Sequence, residues 1–91
     1  MTTQADKLLR LQDPTPSLLH LELQASRDPR LARRILKYNV LAHDRHELPV
    51  QSIVVLLRPE ADSPGLTGAL SYKPPHGGSL EFEFDVVRLW Q

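Results

Sequence analysis

The feature that most constrains this fold is the run of residues 30–48, which contains no glycine or proline and lies between Pro29 and Pro49. Asp28 is a residue type that often caps a helix N-terminus, and proline suits the first helical position. The run therefore predicts a helix that opens at Asp28 and ends near His46.

The predicted helix is flanked by two strand-like segments. Residues 50–57 form a continuous, largely β-branched apolar run, which is typical of a central strand. Residues 18–24 alternate strictly between two faces. One face carries Leu19, Leu21 and Leu23, and the other carries His20, Glu22 and Gln24. A strand, a helix and a strand in this order predict two parallel strands joined by a right-handed crossover.

Three further strands are expected around this unit. Residues 6–11 predict a short strand that pairs with the next one, and residues 67–73 and 79–89 predict a C-terminal β-hairpin over 67–90. The result is an α/β fold with a mixed β-sheet and one principal helix packed on it. The 91 residues predict a single domain, because a chain this short leaves no room for two cores.

The composition narrows the partners and the compartment. Eleven basic residues balance eleven acidic ones, so the net charge of zero argues against a general attraction to nucleic acid or membrane, and any DNA contact must be local. There is no cysteine, which excludes disulfides and fits the cytoplasm. No apolar run is long enough to span a membrane. Small domains leave sheet edges to cover, so we expect a homo-oligomer.

The most informative polar residues are Asp6 and the polar face of the second strand. If residues 6–11 pair with that strand, Asp6 lies beside Glu22. Two adjacent carboxylates suit a hard divalent cation, which can activate water and stabilise the charge that develops on a phosphate. His20 is a candidate metal neighbour or general base, although a hydrogen-bonded strand histidine is the simpler interpretation. A polar strand face that is merely solvated remains the simpler interpretation.

Five short segments, in order, resemble the recombination-promoting nuclease and putative transposase (YhgA-like) family of the PD-(D/E)XK nuclease superfamily. They are ADKLLR (5–10), LHLELQAS (19–26), RILKY (34–38), LPV (48–50) and VVLL (54–57). The resemblance implies a restriction-endonuclease-like core over residues 5–58. Because few residues precede Asp6, we expect that core to lack the usual N-terminal helix.

The family resemblance also implies site residues. Asp6 matches the first metal-binding aspartate and Glu22 the acidic residue of the (D/E)-x-K element, while Gln24 stands where the superfamily usually has lysine. The implied activity is Mg²⁺-dependent DNA endonuclease cleavage, with Mn²⁺ as a substitute, in which Asp6 and Glu22 hold the metal and Gln24 completes the catalytic set. Glutamine cannot act as a cation, but its amide can orient water or a phosphate oxygen.

A basic stripe on the helix offers a local DNA contact. It consists of Arg30, Arg33, Arg34 and Lys37. Such residues can neutralise phosphates, although a solvated helix face is the simpler interpretation. Two alternatives to an active nuclease stay open. One is a catalytically silent dimerisation or DNA-binding module of the same fold, and the other is a small α/β interaction protein.

Overall fold

The computed structural model describes residues 4–91; residues 1–3, which the predicted domain includes, lie outside the described part of the chain. Six strands and one α-helix follow one another, with a short 3₁₀ helix at Pro59–Ala61. They are β1 (Gln4–Leu11), β2 (Ser17–Gln24), α1 (Leu31–His46), β3 (Val50–Leu56), β4 (Ala69–Tyr72), β5 (Leu80–Glu83) and β6 (Asp85–Arg88).

Four of the strands form one mixed sheet in the order β1-β2-β3-β6. β1 and β2 are antiparallel, whereas β2–β3 and β3–β6 are parallel. The parallel β2–β3 pair with α1 between its strands is the predicted crossover unit. The predicted class, an α/β fold with a mixed sheet and one principal helix, is therefore confirmed.

Helix α1 begins two residues later than the sequence predicts, with Arg30 instead of Asp28 at its N-cap. Its first residue is Leu31, and Pro29 and Arg30 form a turn that leads into it. Asp28 still acts at this end, because its side chain accepts a hydrogen bond from the backbone N–H of Arg30 at 2.9 Å. Among residues 4–91, no helix combines the length and the apolar content that a membrane span requires.

The core lies between α1 and one face of the sheet. Leu31 and Ile35 of the helix pack on Val54 and Leu56 of β3, and further apolar residues from the C-terminal half close the cluster. The cluster also contains Ala61, Leu66 and Phe84. Tyr38, which the helix pattern places on the core side, is 38% exposed at the edge of this cluster.

The polar face of β2, and not its leucine face, lies beneath the helix. Glu22 is fully buried and His20 is 4% exposed, whereas the leucines of the other face are only half-buried. The interpretation of a solvated polar face is therefore wrong. Alternation specifies that a strand has two faces, but the position of the helix determines which face is covered.

The predicted hairpin over 67–90 is only partly present. β4 and β5 pair antiparallel, but the chain then leaves this two-stranded sheet at Phe84, and β6 joins the main sheet beside β3. Gly68 marks the switch: its carbonyl accepts the N–H of Phe84 at 2.9 Å, and its φ is +84°. The predicted second strand of the hairpin thus belongs to two sheets.

Candidate functional site

The β1–β2 pairing places the first candidate residues side by side. Asp6 is the register partner of Glu22, and Leu8 is the partner of His20. Residues directly opposite each other in an antiparallel pair project from the same face, so Asp6 shares the helix-covered face with Glu22. Asp6 lies on the edge strand and is exposed, whereas Glu22 is fully buried.

Glu22 is fixed by the helix. Arg34 donates to its Oε1 from both Nε, at 2.9 Å, and Nη2, at 2.6 Å. The Nη1 of Arg34 donates to the carboxylate of Asp28. A planar guanidinium can hold two carboxylates at once, so α1 positions one buried acid of β2 through a single residue.

The ionisation of this cluster follows from its contacts. Burial works against the charge of Arg34, but its hydrogen bonds to Glu22 and Asp28 raise its pKa above the ordinary value. The backbone N–H of Arg30 and then the guanidinium of Arg34 lower the pKa of Asp28. Arg34 and Asp28 are therefore both charged at neutral pH, as an ion pair in a shielded position requires.

Gln24 is fully occupied by structural contacts. Its Oε1 accepts a hydrogen bond from Arg34 Nη2 at 3.1 Å, and its Nε2 donates to the carbonyl of Ser26 at 2.8 Å. The residue is 2% exposed. In this conformation its amide holds Arg34 and the end of β2, which differs from the water-orienting or phosphate-orienting role expected from the sequence.

His20 is anchored by a chain of hydrogen bonds from two neighbouring elements. Its Nδ1 lies 2.9 Å from the hydroxyl oxygen of Ser52 on β3. The amide of Asn39, on α1, donates to the same oxygen at 3.0 Å and to the carbonyl of Val50. The ring also meets Tyr38 edge to face, with centroids 6.2 Å apart. The orientation of the imidazole is therefore fixed from one side.

Two buried polar atoms of this cluster have no hydrogen-bond partner among residues 6–91, the part of the chain whose side chains the structure describes: His20 Nε2 and Glu22 Oε2. They lie 3.6 Å apart. Buried polar atoms are normally satisfied, because leaving one unpaired costs about 1–3 kcal/mol. The two atoms thus form a small polar locus that the fold itself does not saturate.

A cavity of about 350 Å³ lies beside this locus, between the edge strand and the second half of α1. Asp6 and His20 line it together with Tyr38, Arg45 and His46, and its remaining walls are mainly apolar. The cavity therefore brings an exposed carboxylate, a buried imidazole and a cationic side chain to one concave surface.

The donor set fits a metal only in part. Within the part of the chain that the structure describes, no three His, Asp or Glu side chains come close enough to form a complete metal site. Glu22 Oε2 nevertheless accepts no hydrogen bond from the side chains of residues 6–91, although His20 Nε2 lies 3.6 Å away, and Asp6 stands opposite Glu22 in register. These two oxygens suit a divalent cation that retains several water ligands, as Mg²⁺ usually does.

The basic stripe divides into two parts. Arg30, Arg33 and Lys37 are exposed, but Arg34 points inward to Glu22 and is not a free cation. The exposed members line a groove with Tyr38, which also lines the cavity beside His20. Arg34 is therefore not available for the expected phosphate contact, whereas Arg30, Arg33 and Lys37 remain candidates for it, and their groove shares Tyr38 with the cavity.

The sequence predicts that Arg34 and Tyr38 support the sheet or the site, but it did not identify Glu22 as the partner of Arg34, nor Ser52 and Asn39 as supports of His20. Nothing in the sequence indicated that Arg34 binds Glu22. Ser52 lies in a run that indicates a core strand, and Asn39 lies in the predicted helix. The one available signal was a polar face opposite a leucine face on β2.

Comparison of the chain with protein-family models, with curated proteins and with solved structures gives no match.

Proposed function

We propose that this chain is a small, restriction-endonuclease-like module that hydrolyses DNA phosphodiester bonds with Mg²⁺, or Mn²⁺ as a substitute. The observation that carries the proposal is the pairing of Asp6 with Glu22, whose buried Oε2 has no hydrogen-bond partner within residues 6–91. An unsatisfied carboxylate oxygen next to a second carboxylate, at the edge of a cavity, is the arrangement that a divalent cation would satisfy.

Each part of the site has a role in this proposal. Asp6 and Glu22 hold the cation, which when bound activates water and offsets the charge that develops on the phosphate. Arg34 fixes the rotamer of Glu22 through two hydrogen bonds. Arg45, which lines the cavity, is placed to contact the phosphate. The role of Gln24 is to hold Arg34, so we propose it as a positioning residue.

DNA would approach along the groove of Arg30, Arg33 and Lys37. This groove shares Tyr38 with the cavity, so a backbone that follows the exposed cations reaches the paired carboxylates. Contacts of this kind neutralise phosphates and make binding depend on salt. The neutral net charge of the chain agrees with a contact that is confined to one surface.

Cleavage of supercoiled plasmid DNA in Mg²⁺ or Mn²⁺ tests the proposal. Asp6→Asn should lower the rate at least about 100-fold, because it removes one of two metal-holding carboxylates. Asp6 is exposed, so the variant should keep the fold. Asp44→Asn, at an exposed position of α1, is the matched control and should cleave at the wild-type rate. A folded wild type that shows no cleavage with either metal would refute the nuclease proposal.

A second candidate function, self-association, is favoured by the sheet face that α1 does not cover. Leu9 and Val87 on this face are 43% and 42% exposed, and the leucines of β2 are half-buried. Register places Lys7 and Asp85 at the two ends of one row that crosses the sheet through Leu21 and Ile53. A second copy packed face to face about a two-fold axis along the strands would set each Lys7 opposite the Asp85 of its partner.

A further inference from the structure

We infer that the cavity beside His20 binds one unpaired nucleotide of a DNA strand, with the base against Tyr38 and the phosphate at Arg45. The inference rests on the proposed function and deepens it, because it specifies single-stranded or locally unpaired DNA as the substrate class. The cavity of about 350 Å³ is at the small end of the range of roughly 300–1,000 Å³ that ligand pockets span. That volume suits a single nucleotide.

The walls of the cavity are mainly apolar, as a site for a planar base requires. Leu8 of β1 and Leu41 and Ala42 of α1 form these walls together with Tyr38. Leu8, Leu41 and Tyr38 are exposed, so a base in the cavity would cover apolar surface that now faces water. An aromatic ring can stack on any base, because every base has a π face. The lining therefore fits a base without specifying which one.

His20 adds a buried polar group to this apolar lining. Its Nδ1 lies 2.9 Å from the hydroxyl oxygen of Ser52, and its Nε2 has no hydrogen-bond partner among residues 6–91. Bases carry donors and acceptors on their edges, so a base edge that reaches His20 would satisfy an otherwise unpaired atom. Enzymes that bind an unstacked base commonly combine apolar walls with hydrogen bonds to the base edge.

The charge of the lining suits an anionic ligand. Lys7 and Arg45 carry two positive charges against the single negative charge of Asp6, which leaves one net positive charge before the two histidines are counted. Each nucleotide of a DNA strand carries one negative charge on its phosphate. The guanidinium of Arg45 can donate two parallel hydrogen bonds to that phosphate.

The groove of Arg30, Arg33 and Lys37 meets the cavity at Tyr38. This residue lines both, and the Nζ of Lys37 lies 6.0 Å from the centroid of its ring. A strand whose phosphates follow the exposed cations therefore passes beside the cavity, where one base can turn inward. Turning a base out of its stack costs least when the strand is already unpaired. We therefore expect single-stranded DNA to bind more tightly than duplex.

Fluorescence anisotropy of labelled oligonucleotides with the whole chain, in the presence of EDTA, tests the inference without the proposed metal. A short single-stranded oligothymidylate should bind at least about fivefold more tightly than an abasic strand of the same length, because the abasic strand lacks a base to stack. It should also bind more tightly than a duplex of that length. Equal affinity for the oligothymidylate and the abasic strand, absence of binding, or tighter binding of the duplex would overturn the inference.

Substitution of Tyr38 tests where the base binds. Tyr38→Leu keeps an apolar side chain but removes the aromatic ring. It should lower the affinity for the oligothymidylate at least about fivefold and leave that for the abasic strand within about twofold. Tyr72→Leu, at an exposed position of β4, is the matched control and should change neither affinity. A folded Tyr38→Leu protein that still prefers the oligothymidylate as the wild type does would overturn the inference.

A measurement on the wild type removes the dependence on a substitution. Thymidine 5′-monophosphate should shift the ring NMR signals of His20 and Tyr38 before those of His76, which lies in an exposed turn. Shifts confined to Arg33 and Lys37 would show that the nucleotide binds in the groove alone, and this result would overturn the inference.

These experiments separate the cavity from the nuclease proposal. Cleavage of plasmid DNA by a protein that binds the oligothymidylate and the abasic strand equally would refute the role of the cavity and support the nuclease. Base-dependent binding by a protein that cleaves no DNA with either metal would support the cavity and refute the nuclease.

Discussion

At the scale of single residues, Arg34 explains how β2 can bury a polar face. The guanidinium contacts Glu22, Asp28 and Gln24, and thereby satisfies one oxygen of the buried glutamate. Without it, Glu22 would be a buried charge with no cation bonded to it, which is far more costly than an exposed one. The sequence places this arginine in the basic stripe, but its contacts define its role.

Substitution of Arg34 should therefore cost stability, unlike substitution of its neighbour. We expect Arg34→Ala to lower the free energy of unfolding by about 2–4 kcal/mol, because it leaves Glu22 buried and uncompensated. Arg33→Ala, on the exposed side of the same helix turn, should change it by less than about 0.5 kcal/mol. Urea denaturation followed by circular dichroism measures both. Equal small losses in the two variants would contradict the proposed role of Arg34.

The candidate residues could be predicted from the sequence better than their environment. The pairing of Asp6 with Glu22 follows from two short strands and a turn, and the structure has that register. The burial of Glu22, His20 and Gln24 could not be predicted, because alternation is the same whichever face the helix covers. Only the tertiary contact with Arg34 makes the polar face an acceptable interior.

At the scale of elements, the C-terminal strands show why a local sequence pattern can make two separate strands look like a single one. Apolar and polar residues alternate from residue 80 to residue 86, across the boundary between the two strands, so the sequence predicts one long strand. In the structure, Phe84 separates β5 from β6, and each pairs with a different neighbour. Strand pairing is a long-range property, and period two carries no information about which partner each half will find.

Gly68 is the residue on which this switch between sheets depends. An added Cβ would lie 2.8 Å from the carbonyl oxygen of Phe84, and the φ of +84° disfavours any side chain. We expect Gly68→Ala to lower the free energy of unfolding by about 2–4 kcal/mol, from backbone strain together with the clash. Gly78 has nearly the same φ, +83°, but open space around it.

Gly78→Ala is therefore the matched control for Gly68→Ala. It carries the conformational cost without the clash, so the expected loss is only about 1 kcal/mol. Thermal or urea unfolding measures the loss of stability in each variant. The difference between the two losses is the cost of the clash between a Cβ at position 68 and the carbonyl oxygen of Phe84. Identical losses would mean that the contact between Gly68 and Phe84 does not constrain the connection from β5 to β6.

At the scale of the whole molecule, the two faces of the main sheet differ because helix α1 covers only one of them. The face beneath α1 is closed by the core and by the cluster of Glu22 and Arg34. The opposite face carries a row across the four strands in which Leu21 of β2 and Ile53 of β3 are apolar, with Lys7 of β1 and Asp85 of β6 at its two ends. Within residues 4–91 no helix covers it, and we propose a second copy of the chain as its partner because the two end charges are self-complementary.

Exchange of the two end charges tests this packing. Lys7→Glu should weaken a dimer at least tenfold, because it sets two acids opposite each other at both ends of the interface. Lys7→Glu combined with Asp85→Lys restores opposite charges with reversed sign, so the double variant should dimerise again. Lys73→Glu, at an exposed turn, is the control for the change in net charge and should dimerise as the wild type does. Sedimentation velocity over a range of concentrations gives the dissociation constants. A wild type that stays monomeric at all concentrations, or a double variant that fails to recover, would contradict the face-to-face arrangement.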